Sequence, residues 1–223
     1  MEHLFSGIDG PERESLLVCL QAVPRRYKKG EMVLSVGDAP AVGMITSGAV
    51  QVIAEDPMGN RTIIGRMEAG DIFGEAFACA GAERLPFSVE AAADCDVMLI
   101  DVKKILVTCP TACPFHSRLI ENLMSILARK NIMLGAKIRH LSRRSTRDKL
   151  LSYLSEQARE AGSRSFAIPF NRQELADYLC VDRSAMSSEL SRLKAEGVLD
   201  YEKNEFSFLR RAKRPSAGKH SES

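Results

Sequence analysis

Between residues 113 and 141 the apolar positions follow a heptad. Ile120, Met124, Leu127, Asn131, Leu134, Ile138 and Leu141 are spaced alternately by four and by three. Leu127, Leu134 and Leu141 take the d positions, and Met124, Asn131 and Ile138 take a. Leucine at d with one asparagine at a is the pattern of a parallel two-stranded coiled coil, in which the paired amides fix register at some cost in stability. The spacing therefore predicts one long helix with a second copy of the chain as its partner, and these seven residues as the dimer interface. A second stripe, Leu119, Leu123, Ile126 and Met133, runs one residue earlier and needs another partner, expected in the preceding domain. One wide face buried in a monomeric bundle is the competing reading, and so regular a seam fits it less well.

Ahead of this helix the period shortens. Residues 1–20 read as a short helix: Pro11 is preset for a first turn, Glu12 and Glu14 suit its N-terminus, and Leu16, Leu17 and Leu20 give it one apolar side. From residue 23 to 101, short apolar runs are broken by Gly30, Gly37, Gly43, Gly48, Gly59, Gly65, Gly70 and Gly74. Gly48 separates runs at 42–45 and 50–53, and Asp56-Pro57-Met58-Gly59-Asn60 is a turn between 50–54 and 62–67. Runs at 87–91 and 97–101 complete about eight strands. Strands this short, without helical crossovers, predict a sandwich or barrel, most simply a jelly roll, and argue against a parallel α/β sheet.

Beyond the long helix, residues 141–144 form a hinge. Ser145 then caps a helix with Asp148 three residues on, an apolar face of Leu150, Leu151, Tyr153 and Leu154, and an end at Gly162. Asn171 caps another helix, with Glu174 at its third residue and Leu175, Ala176 and Leu179 inward. After Cys180-Val181, Asp182 caps a helix with Ala185, Met186, Leu190 and Leu193 inward, ended by Gly197. Two such helices across a tight turn make a helix-turn-helix, and small Ala176 lets them cross closely. Runs at 198–201 and 205–209 around Lys203-Asn204 form a hairpin wing. In the major groove, the second helix would offer Arg183, Ser184, Ser187 and Ser188, next to its cap Asp182. Arg183 suits bidentate contact to guanine; the serines read bases weakly. Asn171, Arg172 and Gln173 would hold phosphate.

Charge sharpens this division. The chain has 223 residues, 45% hydrophobic, with a net charge of +2. Residues 1–136 carry 13 Lys/Arg against 17 Asp/Glu, and residues 137–214 carry 17 against 11. Only the second part is suited to a polyanion. No apolar run approaches the roughly 20 residues that span a bilayer, and Met1-Glu2-His3-Leu4 has no secretory character. A cytoplasmic, mostly reduced protein is expected, with six scattered cysteines.

The glycine ladder, Gly70-Asp71-Ile72-Phe73-Gly74-Glu75, and the segment Asn171-Arg172-Gln173-Glu174-Leu175-Ala176 through Asp182-Arg183-Ser184-Ala185-Met186 resemble the CRP/FNR transcription regulators, over about residues 5–209. The resemblance implies an α+β chain in four parts. These are an effector-sensing double-stranded β-helix (jelly roll) barrel at 1–112, a long dimerisation helix at 113–141, a winged helix-turn-helix at 142–209 and a disordered basic tail at 210–223. It also implies a homodimer on a palindromic double-stranded DNA site, contact with RNA polymerase, and a small-molecule effector on the barrel that reorients the paired helices. The effector pocket would be walled by Gly74, Glu75, Arg84, Leu85, Phe87 and Ser88 and closed by Leu123, Met124 and Leu127.

Cyclic-nucleotide members of the family follow the glycine–glutamate pair with an arginine–serine pair that holds phosphate. Leu85-Pro86 stands there in this chain, with Arg84 one position away. A neutral Leu-Pro supplies neither charge nor amide donor, so cyclic AMP is not the expected ligand. The oxygen-sensing members ligate an iron–sulfur cluster with N-terminal cysteines; here only Cys19 lies in that region, short of four ligands. Cys109-x3-Cys113-x2-His116 fits neither a zinc knuckle nor a haem attachment motif. The two cysteines read as small buried residues and His116 and His140 as solvated ones, with a redox, haem- or metal-responsive regulator as the alternative. No metal site, cofactor or enzyme activity is assigned: histidine is scarce and no nucleophile–base set is spaced for catalysis. A signalling module whose head binds protein is the other alternative, and would need an exposed apolar patch there.

Overall fold

Eight short strands of the first half pair in a nested order. In the computed structural model, which describes residues 4–101 and 114–209, β1 (Val23–Tyr27) pairs with β8 (Cys95–Ile100) and β2 (Met32–Leu34) with β7 (Ser88–Ala91). Inside these, β3 (Val42–Ser47) pairs with β6 (Ile72–Phe73) and β4 (Ala49–Glu55) with β5 (Arg61–Glu68), all antiparallel. First meets last and fourth meets fifth, so the ribbon rolls into two four-stranded sheets, β1-β8-β3-β6 and β2-β7-β4-β5. This is the expected jelly roll. The expected turn between β4 and β5 is built by Asp56, whose Oδ1 accepts from the amides of Met58 at 2.8 Å and Asn60 at 2.9 Å.

One core cluster fills the space between the sheets, with Ile45, Val50, Phe73, Leu85, Val89 and Val97. A second seals the barrel's end. There α1 (Gly10–Cys19) contributes Leu16, the segment around it adds Leu4, Phe5, Ile8 and Leu20, and the sheet adds Val42, Met44, Ile72 and Ile100. Leu119, Leu123 and Ile126 of α3 (Pro114–Leu141) complete that cluster. Asn122 ties the N-terminal segment down, donating through Nδ2 to the carbonyls of Leu4 at 3.0 Å and Ser6 at 2.8 Å.

The second stripe on α3 thus meets the barrel at three of its four positions. Met133 differs: it is exposed, because it lies two turns past Ile126, beyond the last α3 residue of the cluster. His116 also differs from expectation. It is buried, since it precedes Leu119 by three residues and Leu123 by seven and so shares their face. Cys109, Cys113 and the basic tail lie outside the described residues. The heptad seam is covered only in part in the single chain. Met124 and Ile138 are 62% and 63% exposed, Leu134 and Asn131 are exposed, and Ile120, Leu127 and Leu141 are partly buried.

The chain divides into two compact units, Met1–Gly135 and Ala136–Ser223. The second holds α4 (Thr146–Glu160), β9 (Ser165–Ala167), α5 (Arg172–Leu179), α6 (Arg183–Ala195), β10 (Leu199–Glu202) and β11 (Glu205–Phe208). Its three-stranded sheet runs β10-β11-β9. The expected wing hairpin is β10–β11; β9, three residues between two helices, carries too short a pattern to be legible in the sequence. Within α6, Met186, Leu190 and Leu193 are buried, whereas Ala185, expected inward, is exposed, being about 100° around the helix from Met186. No helix among the described residues is long and apolar enough to cross a membrane.

Gly74 joins β6 to the short α2 (Glu75–Cys79) at φ +77°, and a Cβ there would lie 2.1 Å from the Ala41 carbonyl oxygen. Gly59 has a similar φ of +81° with open space around it. Gly59→Ala should therefore cost only the left-handed strain, about 1 kcal/mol, and Gly74→Ala clearly more, about 3 kcal/mol or loss of the folded barrel. Urea denaturation of the two variants side by side checks this; equal costs would show that the Ala41 backbone yields.

Candidate nucleic-acid interface

Helix ends organise the second unit. Asn171 Oδ1 accepts from the amides of Gln173 at 2.9 Å and Glu174 at 3.0 Å, and Glu174 Oε2 accepts from the Asn171 amide at 2.8 Å. This reciprocal box satisfies the first donors of α5. The helix stops at Cys180, which adopts the left-handed conformation at φ 50° without being glycine. Lys149 Nζ, from α4, reaches the carbonyls of Leu179 and Cys180 at 3.3 Å, a cation at the negative end of α5. Asp182 then opens α6: its Oδ1 accepts from the Ser184 hydroxyl at 2.6 Å and the Ala185 amide at 2.8 Å, and these bonds hold its carboxyl below the usual range.

The two caps and the turn present a polar surface. Asn171, Gln173, Asp182, Arg183, Ser184 and Ser188 are exposed, and Ser187 is partly so. Gln173 Nε2 donates to Asp177 at 2.8 Å, and Ser187 accepts at its carbonyl from the Ser191 hydroxyl at 3.0 Å. Arg172 is oriented differently. Its guanidinium lies over the rings of Tyr201 at 4.8 Å and Phe206 at 5.0 Å, joining α5 to the wing. Burial lowers its pKa, and its Nη1 is buried with no hydrogen-bond partner among the described residues.

The end of α3 belongs to this unit, and two of its polar side chains, Lys137 and His140, are turned inward. His140, expected in solvent, is 4% exposed. Its Nε2 lies 2.9 Å from Glu156 and its Nδ1 2.8 Å from the Ser152 hydroxyl. A carboxylate only accepts, so Nε2 carries the proton and, in the neutral ring, Nδ1 accepts from Ser152. Burial lowers its pKa against the opposing pull of Glu156. A serine, a histidine and a glutamate are thus in line. Ser152 sits inside α4, so His140 ties the end of α3 to that helix. Lys137, one turn earlier and also buried, places Nζ 4.4 Å from the Tyr178 ring centroid, and burial pulls its pKa down to about 8.

In the first unit, the expected pocket residues fall in different surroundings. Glu75 is 3% exposed at the start of α2, where Lys130 of α3 donates to its Oε1 at 2.8 Å and to the Ile72 carbonyl at 2.6 Å. Glu75 Oε2 is buried without a hydrogen bond among the described residues. Leu85 and Phe87 lie in the inter-sheet core, Phe87 edge-on to Phe77 at 4.9 Å. Leu123 and Leu127 belong to the end cluster, and Met124 faces outward. Arg84 donates to the Gly37 carbonyl at 2.8 Å, and Ser88 accepts from the Val36 amide at 3.1 Å. The structure therefore brings Glu75 together with Lys130, which the sequence reading does not single out. Among the described residues no group of three or more His, Cys, Asp or Glu is placed to hold a metal.

Comparison with known proteins agrees with both halves. A cyclic nucleotide-binding domain model matches residues 24–109, and a Crp-like helix-turn-helix domain model matches residues 148–213. The transcriptional activator protein FnrL of Cereibacter sphaeroides is 26% identical, over 80% of this chain and 73% of that protein. The c-di-GMP responsive global regulator CLP of Xanthomonas campestris has a similar fold, with a TM-score of 0.75 at 19% identity over 91% of this chain and all of that one. FixK2 of Bradyrhizobium japonicum gives 0.66 at 22% identity, over 85% and 93%.

Lys137 sets a pH dependence. The unfolded side chain takes its proton below its usual 10.5, the folded one only below about 8. Folding stability therefore falls as pH drops across that window and falls no further below it. Lys137→Met should stabilise the second unit by about 1–2 kcal/mol at pH 7, with the gain fading above pH 8. Thermal melts from pH 7 to 10 check this; a gain independent of pH would assign the effect to packing.

Proposed function

The chain belongs to the CRP/FNR family of transcription regulators, with a cyclic-nucleotide-binding-like barrel and a helix-turn-helix DNA-binding domain, and we propose that it acts as a homodimer on palindromic DNA. The observation that carries the DNA reading is the surface of α6. Its N-terminal turn offers Arg183, Ser184, Ser187 and Ser188, and among the described residues of α6 no large apolar side chain is exposed. A protein-binding head would need such a patch. Arg183 reads a base, the serines support it, and Asn171 and Gln173 meet phosphate beside their helix N-terminus. Arg172 holds the wing through its two aromatic rings rather than reaching phosphate.

Dimerisation uses the seam of α3. Met124, Leu134 and Ile138 are apolar and exposed in the single chain at heptad spacing, and Asn131 lies among them. The effector acts on the barrel and is not cyclic AMP. Leu85 is an uncharged core residue, and the carboxylate of Glu75 is already engaged by Lys130. The protein works in the cytoplasm and passes its signal to RNA polymerase once bound at a promoter.

Selection from random duplexes tests the DNA reading. The expected result is a palindrome with half-sites about one helical turn apart and salt-sensitive binding; absence of any sequence preference under all conditions overturns it. Arg183→Ala should cost about 1–3 kcal/mol and relax one base position, whereas uniform weakening on every duplex would assign Arg183 to phosphate. For the seam, sedimentation should show a dimer at micromolar concentration. Asn131→Val should tighten association while broadening strand number; a monomeric parent overturns the seam.

A further inference from the structure

Arg147 is the second residue of α4, where the helix dipole disfavours a cation. Its guanidinium is engaged by another helix. Nη1 donates to Glu189 at 3.0 Å and to Glu196 at 3.1 Å, and Nη2 donates to the other oxygen of Glu196. Glu189 lies within α6 and Glu196, seven residues on, is its C-terminal cap and keeps helical backbone angles, so the two lie about two turns apart on one face. The Glu189 side chain is only 13% exposed, and Arg192 reaches its second oxygen at 3.4 Å. Met186, Leu190 and Leu193 set the depth at which α6 packs. Apolar contacts are non-directional and tolerate rolling; a planar fork held at two points along the helix does not.

We propose that Arg147 is a positioning residue that sets the roll of α6, and so decides which of Arg183, Ser184, Ser187 and Ser188 meets a base. This rests on the DNA reading above. Base contacts need placement to within about half an ångström, so a small roll disrupts reading while leaving phosphate contacts serviceable. Lys149, two residues on, holds the other end of the motif through the carbonyls of Leu179 and Cys180. Lysine at position 147 would keep the charge but not the fork.

The test compares the full chain with Arg147→Met and Arg147→Lys. Binding is read by fluorescence anisotropy on the selected site and on a scrambled duplex, across salt concentrations. The expected result for Arg147→Met is a loss of about 10–100-fold on the site with little change on the scrambled duplex and an unchanged salt slope. Arg147→Lys, which keeps the charge and serves where Arg147→Met folds poorly, should lose part of the same ratio. Equal loss on both duplexes with a slope shallower by about one would make Arg147 a phosphate contact and overturn the proposal, as would an unchanged ratio in both variants. Hydrogen exchange separates this inference from the function it rests on. In Arg147→Met the amides of α6 should exchange faster while those of α4 keep their protection. If the parent prefers no sequence, the DNA reading fails, and unchanged exchange in α6 then overturns the positioning role as well.

Discussion

Most of the architecture depends on one constraint: α3 carries two apolar stripes, and the barrel covers only one. Burying Leu119, Leu123 and Ile126 joins the helix to the N-terminal segment, α1 and strands β3, β6 and β8 in a single cluster. Each such side chain is worth about 1.5–3 kcal/mol when fully buried. A helix gains most of its stability from packing of this kind rather than from propensity. The other stripe is covered only in part within the described chain: Leu127 packs against the cluster, and Met124, Leu134 and Ile138 stay exposed. The 28-residue helix thus leaves Met124, Leu134 and Ile138 exposed at heptad spacing.

The second organising theme is the use of cations as struts. The excess of basic residues in the second half suggests a polyanion surface, yet several of those residues are turned into the fold. Arg147 bridges two carboxylates, Lys149 holds terminal carbonyls, Arg172 lies against two rings and Lys137 against one. In the first unit Lys130 plays the same part at Glu75. Lys137 and Arg172 bring a charged group toward a lower-dielectric region, and burial lowers the pKa of both. The charge free at the surface is therefore smaller than the composition implies, and Arg183 is among the cations that stay exposed.

These inward contacts also couple elements that apolar packing alone would leave loosely registered. Lys130 links α3 to the β6–α2 corner, where Gly74 must adopt its left-handed conformation. His140 links the last turn of α3 to the middle of α4 through Ser152 and Glu156. A perturbation at either place reaches α3 through a hydrogen-bonded contact with few alternative geometries.

The sequence by itself determined the features that repeat or that are local. The heptad, the glycine-punctuated strands, the turn at Asp56 and the caps at Asn171 and Asp182 are all legible because each depends on residues within a few positions of one another. The nested strand order follows the jelly roll that those strands imply. The tertiary structure alone decided where the stripes end and where charges point. Met133 continues a buried stripe past the end of the cluster that covers it, and His116 and His140 are polar residues on covered faces. Glu75 with Lys130, and Arg147 with Glu189 and Glu196, join residues 42 to 55 positions apart. No periodicity encodes such pairs, because a long side chain chooses its partner from whatever the packed fold brings within reach.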